Sequence, residues 1–251
     1  MDLVTVVSLL RLDPELAAEV PAEKRDLAAR AAVARTIEVQ PGDWEAAEEP
    51  QGEGGFGLLV VSGIFCRRVI QGQRYGAELL GPGDLLRPWD RIGGWSSIPS
   101  DADWLVIEGA KLAVLDADFT RRCAPFPQVG VSMIRRGLLR SRYLAILIAI
   151  VSQRRVETRL TMLFWHLADR FGRVGGEGID VPIPLTHRIL AELVAARRPS
   201  VSTAISSLQE QGTLQRTDDG WRLRGPAPTG LGNLADEPEV PEELSAADLS
   251  S

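Results

Sequence analysis

A chain of 251 residues with 45% hydrophobic content is long enough for one large domain or two ordinary ones with a sizeable core. It has no apolar run of about 18 residues: the richest stretch, YLAILIAIVSQ from Tyr143, is too short to cross a bilayer. The net charge of −6 conceals a pattern, because residues 1–50 and 226–251 each carry −6 while the block between them carries +6, so the overall acidity does not exclude nucleic acid as a partner.

The start, MDLVTVVSLLRLDPELAAEV, lacks a basic region and has early acids, so no signal peptide is expected. The two cysteines, Cys66 and Cys123, are too few and too far apart for a metal or disulfide framework, and a reduced, cytoplasmic protein is expected. Residues 1–35 are read as an N-terminal helical segment, with Asp13 as a cap, Pro14 at the first helical position and a break at Pro21. Residues 36–120 change texture: short β-rich pieces are separated by PG, SG, GPG and EG turns, which suggests an antiparallel roll. In GPGD (residues 81–84) Pro82 presets φ and Gly83 supplies the positive φ that follows.

Residues 121–173 are expected to form a linker and one long dimerisation helix, with Leu139, Tyr143, Ile146, Ile150, Leu160, Leu163 and Leu167 on its apolar side and Gly172 as its stop. The centre, YLAILIAIV, is apolar all round, as for a helix packed against the roll on one side and a second copy of itself on the other. This window holds eleven arginines against Glu157 and Asp169, and RRGLLRSR (arginines 135, 136, 140 and 142) reads as a solvated face. Residues 174–225 read as helix, turn, helix and hairpin, turning at Asp219–Gly220, which is a winged helix-turn-helix. Residues 226–251, rich in Pro, Gly and acids, read as a disordered acidic tail.

The second helix of that module begins RRPSVS. With Pro199 at its start, Val201, Ile205 and Leu208 share an inner face, and Ser200, Ser202, Thr203 and Ser206 lie opposite. These side chains are short, so the face can come close to another surface. Arg197 and Arg198 sit at the helix start, where free N–H groups already favour an anion. Arginines and hydroxyls at a helix start suit phosphates and base edges. Arg198, Ser200, Ser202 and Thr203 are expected at bases or groove edges, Thr186, Arg188 and Arg197 at phosphates, and Arg216, Arg222 and Arg224 at the flanking backbone.

With these residues in place, the segment from VETRLTMLFWHLADRFG to WRLRG, together with LLVVSGIFCRRVI, LLGPGDLLRP and AKLAVLDADF, resembles the Crp/Fnr family of bacterial transcription regulators over residues 36–225. The resemblance implies an α+β chain: an N-terminal antiparallel β-roll like a cyclic-nucleotide-binding domain, a long dimerisation helix and a C-terminal winged helix. It places Thr186, His187 and Arg188 at the DNA backbone. Many members begin the recognition helix Ser-Arg-Glu, with a further Arg four residues after the Glu. Here the matching residues are Arg197, Arg198, Pro199 and Thr203, so Arg198 keeps the first base-reading arginine and the usual half-site is not implied. Pro88, Trp89 and Asp90 stand where a ribose-binding Gly-Glu pair is expected, and Asp101 and Asp103 where a phosphate arginine is expected. Cyclic AMP is therefore not expected to bind in the usual way.

The expected function is a homodimeric, sequence-specific DNA-binding transcription regulator on a roughly palindromic operator, with double-stranded DNA as partner and RNA polymerase as a candidate contact. The effector is left open, no cofactor or membrane is expected, and two cysteines fall short of the four ligands of an iron–sulfur sensor. The rival is a ligand-binding or scaffold protein whose winged helix makes protein contacts. An enzyme of the cupin type is not expected, because His166 and His187 both fall outside the roll. Trp89, Trp95 and Trp104 read as core or interface residues before pocket residues.

Overall fold

The computed structural model describes residues 5–45, 54–71, 74–87 and 101–227. It opens with β1 (Val6–Ser8) and α1 (Leu9–Leu12), followed by 3-10 turns at Pro14–Ala17 and Ala22–Lys24 and by α2 (Arg25–Ala31). The N-terminal part is thus less helical than its alanines suggest. The strand expected from Thr36 starts earlier, as β2 (Val33–Val39), because Val33 and Arg35 are taken by β1: Ser8 pairs with Val33 and Val6 with Arg35. Long-range pairing here overrides local helix propensity. Asp13 caps nothing with its side chain, and its carboxylate instead accepts from Arg136.

The roll continues through β3 (Gly42–Asp43), β4 (Gly57–Gln71), β5 (Arg74–Leu80), β6 (Leu85–Leu86) and β7 (Asp101–Leu115). All pairings are antiparallel, in the order β1-β2-β7-β4-β5, with β3 on β7 and β6 on β4. The long pair β4–β7 carries register shifts on both sides of Ser62. Gly63 sits there at φ +90°, and a Cβ on it would lie 2.5 Å from the Ala110 Cα, so the bulge needs a glycine. The expected turn at Pro82–Gly83 is present with φ +89° at Gly83, whose N–H donates to the Val60 carbonyl at 2.8 Å. Leu58, Phe65, Leu80, Leu86 and Leu112 fill the roll, each essentially inaccessible and each contributing about 1.5–3 kcal/mol. Trp104 belongs to this core, edge-on to Trp44 at 6.0 Å; Trp89 and Trp95 lie outside the described residues.

After α3 (Ala117–Cys123), N-capped by the Asp116 carboxylate on the Phe119 N–H at 2.8 Å, the expected single long helix is two: α4 (Pro127–Val151) and α5 (Val156–Phe171). The break at residues 152–155 has local causes. The Ser152 hydroxyl donates to the Ile148 carbonyl at 2.7 Å, and the Gln153 carbonyl accepts from the Arg159 guanidinium at 2.6 Å rather than from a helical N–H. Val129 and Met133 near the start of α4 pack under the N-terminal helices, while Leu147 and Ile150 near its end already join Leu160, Leu163, Phe164 and Leu167 of α5 in the C-terminal core. Ile146, placed on the apolar side by its periodicity, is 43% exposed. Gly172 ends α5 as expected, but at φ −69°, not in the left-handed region. A Cβ there would come within 2.3 Å of the Ala168 carbonyl, so closeness makes it glycine.

The C-terminal module adds β8 (Arg173–Gly175), β9 (Gly178–Val181), α6 (His187–Leu193), α7 (Arg198–Glu210), β10 (Leu214–Arg216) and β11 (Trp221–Leu223). The expected two-stranded hairpin is part of a four-stranded sheet in the order β10-β11-β9-β8. Its loop closes with the Thr217 N–H on the Gly220 carbonyl at 3.0 Å. α5 packs against α7 and β9, so it belongs physically to the winged helix.

Candidate nucleic-acid interface

The two helices of the module are set by α6, whose start is fixed by Thr186: its hydroxyl accepts from the Ile189 N–H at 3.3 Å, satisfying one free donor of the first turn. Ile189, Leu190 and Leu193 turn inward. The connection to α7 runs through Ala195 at φ +50°, a left-handed position that normally favours glycine. Arg159 of α5 stabilises it by donating to the Val194 and Ala195 carbonyls at 3.0 and 3.2 Å. Sequence reading missed this role, because a single arginine in an arginine-rich window carries no signal of what it touches.

α7 takes Arg197 as its N-cap residue, Arg198 as first residue and Pro199 next, one position earlier than expected. Val201, Ala204, Ile205 and Leu208 are buried, while Arg197, Arg198, Pro199, Ser200, Thr203 and Ser206 are exposed. Among the described residues, the guanidinium groups of Arg197 and Arg198 have no hydrogen-bond or ion-pair partner. The Thr203 and Ser206 hydroxyls donate to the carbonyls of Pro199 and Ser202 at 3.2 and 3.1 Å, which leaves their lone pairs turned outward.

Other predicted residues are occupied. His187 and Ser202 share a hydrogen bond of 2.9 Å, and the His187 ring stacks on Trp221 with centroids 6.3 Å apart, so both side chains join α6 to α7 and are only partly exposed. Arg188 is exposed but pairs with Glu192 at 3.3 Å. Arg216 lies 4.7 Å over the Trp221 ring and donates to the Leu185 carbonyl at 3.0 Å. Arg222 is neutralised from both sides, by Asp180 at 2.6 Å and Glu177 at 2.8 Å, and Arg224 shares Glu177 at 2.9 Å. The Arg222 hydrogen bond holds the Asp180 carboxyl below its usual range. The structure therefore brings together Arg197, Arg198, Ser200, Thr203 and Ser206 as one open face, with Thr186 and Arg188 at its flank; the wing arginines are turned to protein partners.

In the roll, Asp103 pairs with Arg68 at 2.6 Å, and Pro88, Trp89 and Asp90 lie outside the described residues. Glu78 is held by Arg67 and Arg140, each at 2.6 Å, beside a cavity of about 440 Å³ between β4, β5, α4 and α6. The arginines of RRGLLRSR are not simply a solvated face: Arg136 reaches Asp13, and Arg140 reaches Glu78 and the Leu85 carbonyl. Burial pushes the thiols of Cys66 and Cys123 up to about 12 and about 11, so both stay protonated and unreactive. Among the described residues no helix is long and apolar enough to cross a membrane, and no three His, Cys, Asp or Glu residues cluster as metal ligands.

An antiparallel roll, a long connecting helix and a winged helix with an open arginine-and-hydroxyl face together define an α+β architecture of the Crp/Fnr type. Residues 158–233 match the Crp-like helix-turn-helix domain, and the C-terminal module is one of that family. The chain is 33% identical over 94 residues, 36% of its length and 46% of the relative's, to the regulatory protein CysR of Synechococcus elongatus. It spans less than half the length of the curated relatives it matches. Among solved structures, a CooA mutant from Carboxydothermus hydrogenoformans shares the fold with a TM-score of 0.61 and 17% identity, over 85% of this chain and 91% of that one. FixK2 from Bradyrhizobium japonicum does so with 0.57 and 19%, over 76% and 93%.

Proposed function

We propose that this chain is a homodimeric, sequence-specific DNA-binding transcription regulator of the cytoplasm, with the roll as sensor-like domain, α4 as dimerisation helix and the module from α5 onward as DNA reader. The observation that carries the reading is the outer face of α7, where Arg197, Arg198, Ser200, Thr203 and Ser206 are open while Val201, Ala204, Ile205 and Leu208 hold the helix to its module. Arg198 and Thr203 read base edges, and Arg197 and Arg188 hold phosphates. Dimerisation is supported by the exposed apolar stripe of Val131, Ile134, Leu138 and Ile148, which follows alternating three- and four-residue steps through Ser141 and Ala145. RNA polymerase is a further partner of this reading. Cyclic AMP does not bind in the usual way, a reading supported by Arg68 and Arg67 being taken by acids of the roll itself.

The experiment is selection of bound fragments from genomic DNA, followed by affinity measurements at two salt concentrations. Use of several arginine–phosphate contacts requires a steep loss of affinity with salt, and Arg198→Ala with Thr203→Ala abolishes preference for the selected fragment while the dimer stays folded. No enrichment, or preference unchanged in the double variant, returns the winged helix to a protein-contact role.

A further inference from the structure

One carboxylate oxygen on α6 serves two arginines that belong to different parts of the molecule. Glu192 Oε1 lies 3.3 Å from Nε of Arg188, on the flank of the DNA-facing surface, and 3.9 Å from Nη1 of Arg68, which projects from β4 of the roll. The two arginines differ sharply in environment: the Arg188 side chain is 74% exposed, the Arg68 side chain 10%. The other oxygen, Oε2, is buried without a hydrogen-bond partner. The Glu192 charge is also felt inside the roll, where it adds to the larger effect of Asp103 in raising the Arg68 guanidinium and to the larger effect of burial in raising the Cys66 thiol. Packing keeps the three residues together. One continuous apolar cluster runs from Ile64, Cys66 and Leu79 of the roll to Ile189, Leu190 and Leu193 of α6.

Resting on the reading of Arg188 as a phosphate contact, we propose that Glu192 is a positioning residue that couples the seating of the roll to the DNA surface by sharing its charge between Arg68 and Arg188. Both guanidinium groups are positively charged, so a firmer hold by either on the shared carboxylate repels the other and weakens its hold. When β4 presses Arg68 towards Glu192, Arg188 is released to a phosphate. When β4 draws back, the carboxylate falls to Arg188 and keeps it off the DNA. Asp103 sets the balance from the other side, because it competes for Arg68 through Nε at 2.6 Å. A shift of well under a helical turn between roll and α6 is enough to change the sharing.

The test measures affinity of the full-length protein for a random-sequence duplex at several salt concentrations. Arg188→Gln weakens binding severalfold and lowers the salt slope by about one. Arg68→Gln weakens binding about two- to threefold and moves the slope the same way, but does nothing further in a Glu192→Gln background. Asp103→Asn, which frees Arg68 for Glu192, tightens binding, and Arg68→Lys binds as wild type. Equal effects of Arg68→Gln with and without Glu192, or an Asp103→Asn variant that weakens binding, overturn the coupling while leaving the DNA surface intact. If Arg188→Gln binds as wild type, its assignment as a phosphate contact fails and the coupling fails with it; the Arg198 and Thr203 variants then judge the rest of the surface.

Discussion

Arg170 of α5 donates to the Asp84 carboxylate in the β5–β6 turn at 2.7 Å, and both side chains are about nine-tenths buried. The guanidinium also donates to the Leu79 carbonyl at 2.9 Å and lies over Tyr143 at 4.3 Å, while Asp84 accepts from the Gly81 N–H at 2.8 Å. The first helix of the winged module is thereby pinned to a turn of the roll. Gly81 allows the approach, since a Cβ there would meet Phe171 at 2.6 Å. Removing one partner leaves a buried, unpaired charge. Arg170→Met is expected to lower unfolding free energy by about 3–5 kcal/mol in urea titration, and Arg170→Met with Asp84→Asn by less than the single change. A single-variant loss below about 1 kcal/mol would mean that solvent screens the pair.

His166 sits on α5 with 6% exposure, edge-on to Tyr143 at 5.5 Å, and its Nε2 has no hydrogen-bond partner. Burial, aided by the Arg170 charge, lowers its pKa from 6.5 to about 4. A base with a depressed folded-state pKa favours the native state above its unfolded value and loses that contribution as pH falls through the folded value. Stability should therefore decline between about pH 6.5 and 4, by an amount on the order of 3 kcal/mol. His166→Leu should flatten that part of the curve in urea titrations across this range. An unchanged slope in the variant would assign the acid sensitivity to other groups.

Leu138 is 63% exposed in the middle of the apolar stripe on α4. A seam between two copies of α4 would bury it, so Leu138→Arg should give a monomer in sedimentation equilibrium at concentrations where the unaltered chain is a dimer. A variant that remains dimeric would move the interface elsewhere.

The wing gives a contrast with α7. Arg222 already has Asp180 and Glu177 as partners, whereas Arg197 and Arg198 have none among the described residues. Arg222→Ala should change DNA affinity less than threefold at moderate salt, while Arg198→Ala should cost about 1–3 kcal/mol. Equal losses in a binding titration would show that Arg222 leaves its acids when DNA arrives.

The sequence by itself determined the kinds of element and the inner faces of the winged module. Val201, Ile205 and Leu208 at helical spacing can be buried in only one way, and Gly83 after Pro82 admits only one sort of turn. These are local properties, decided within a few residues. Partner choice was decided only in three dimensions. Nothing near Arg222 in the chain announces Asp180, nothing near Arg170 announces Asp84, and nothing near Val33 announces β1. The same holds for the break after Val151, where the guanidinium of Arg159 on the next helix takes the Gln153 carbonyl and settles what an unbroken apolar run leaves open. A guanidinium has the same sequence signature whether it faces solvent, a carbonyl or a phosphate, and tertiary packing alone distinguishes them.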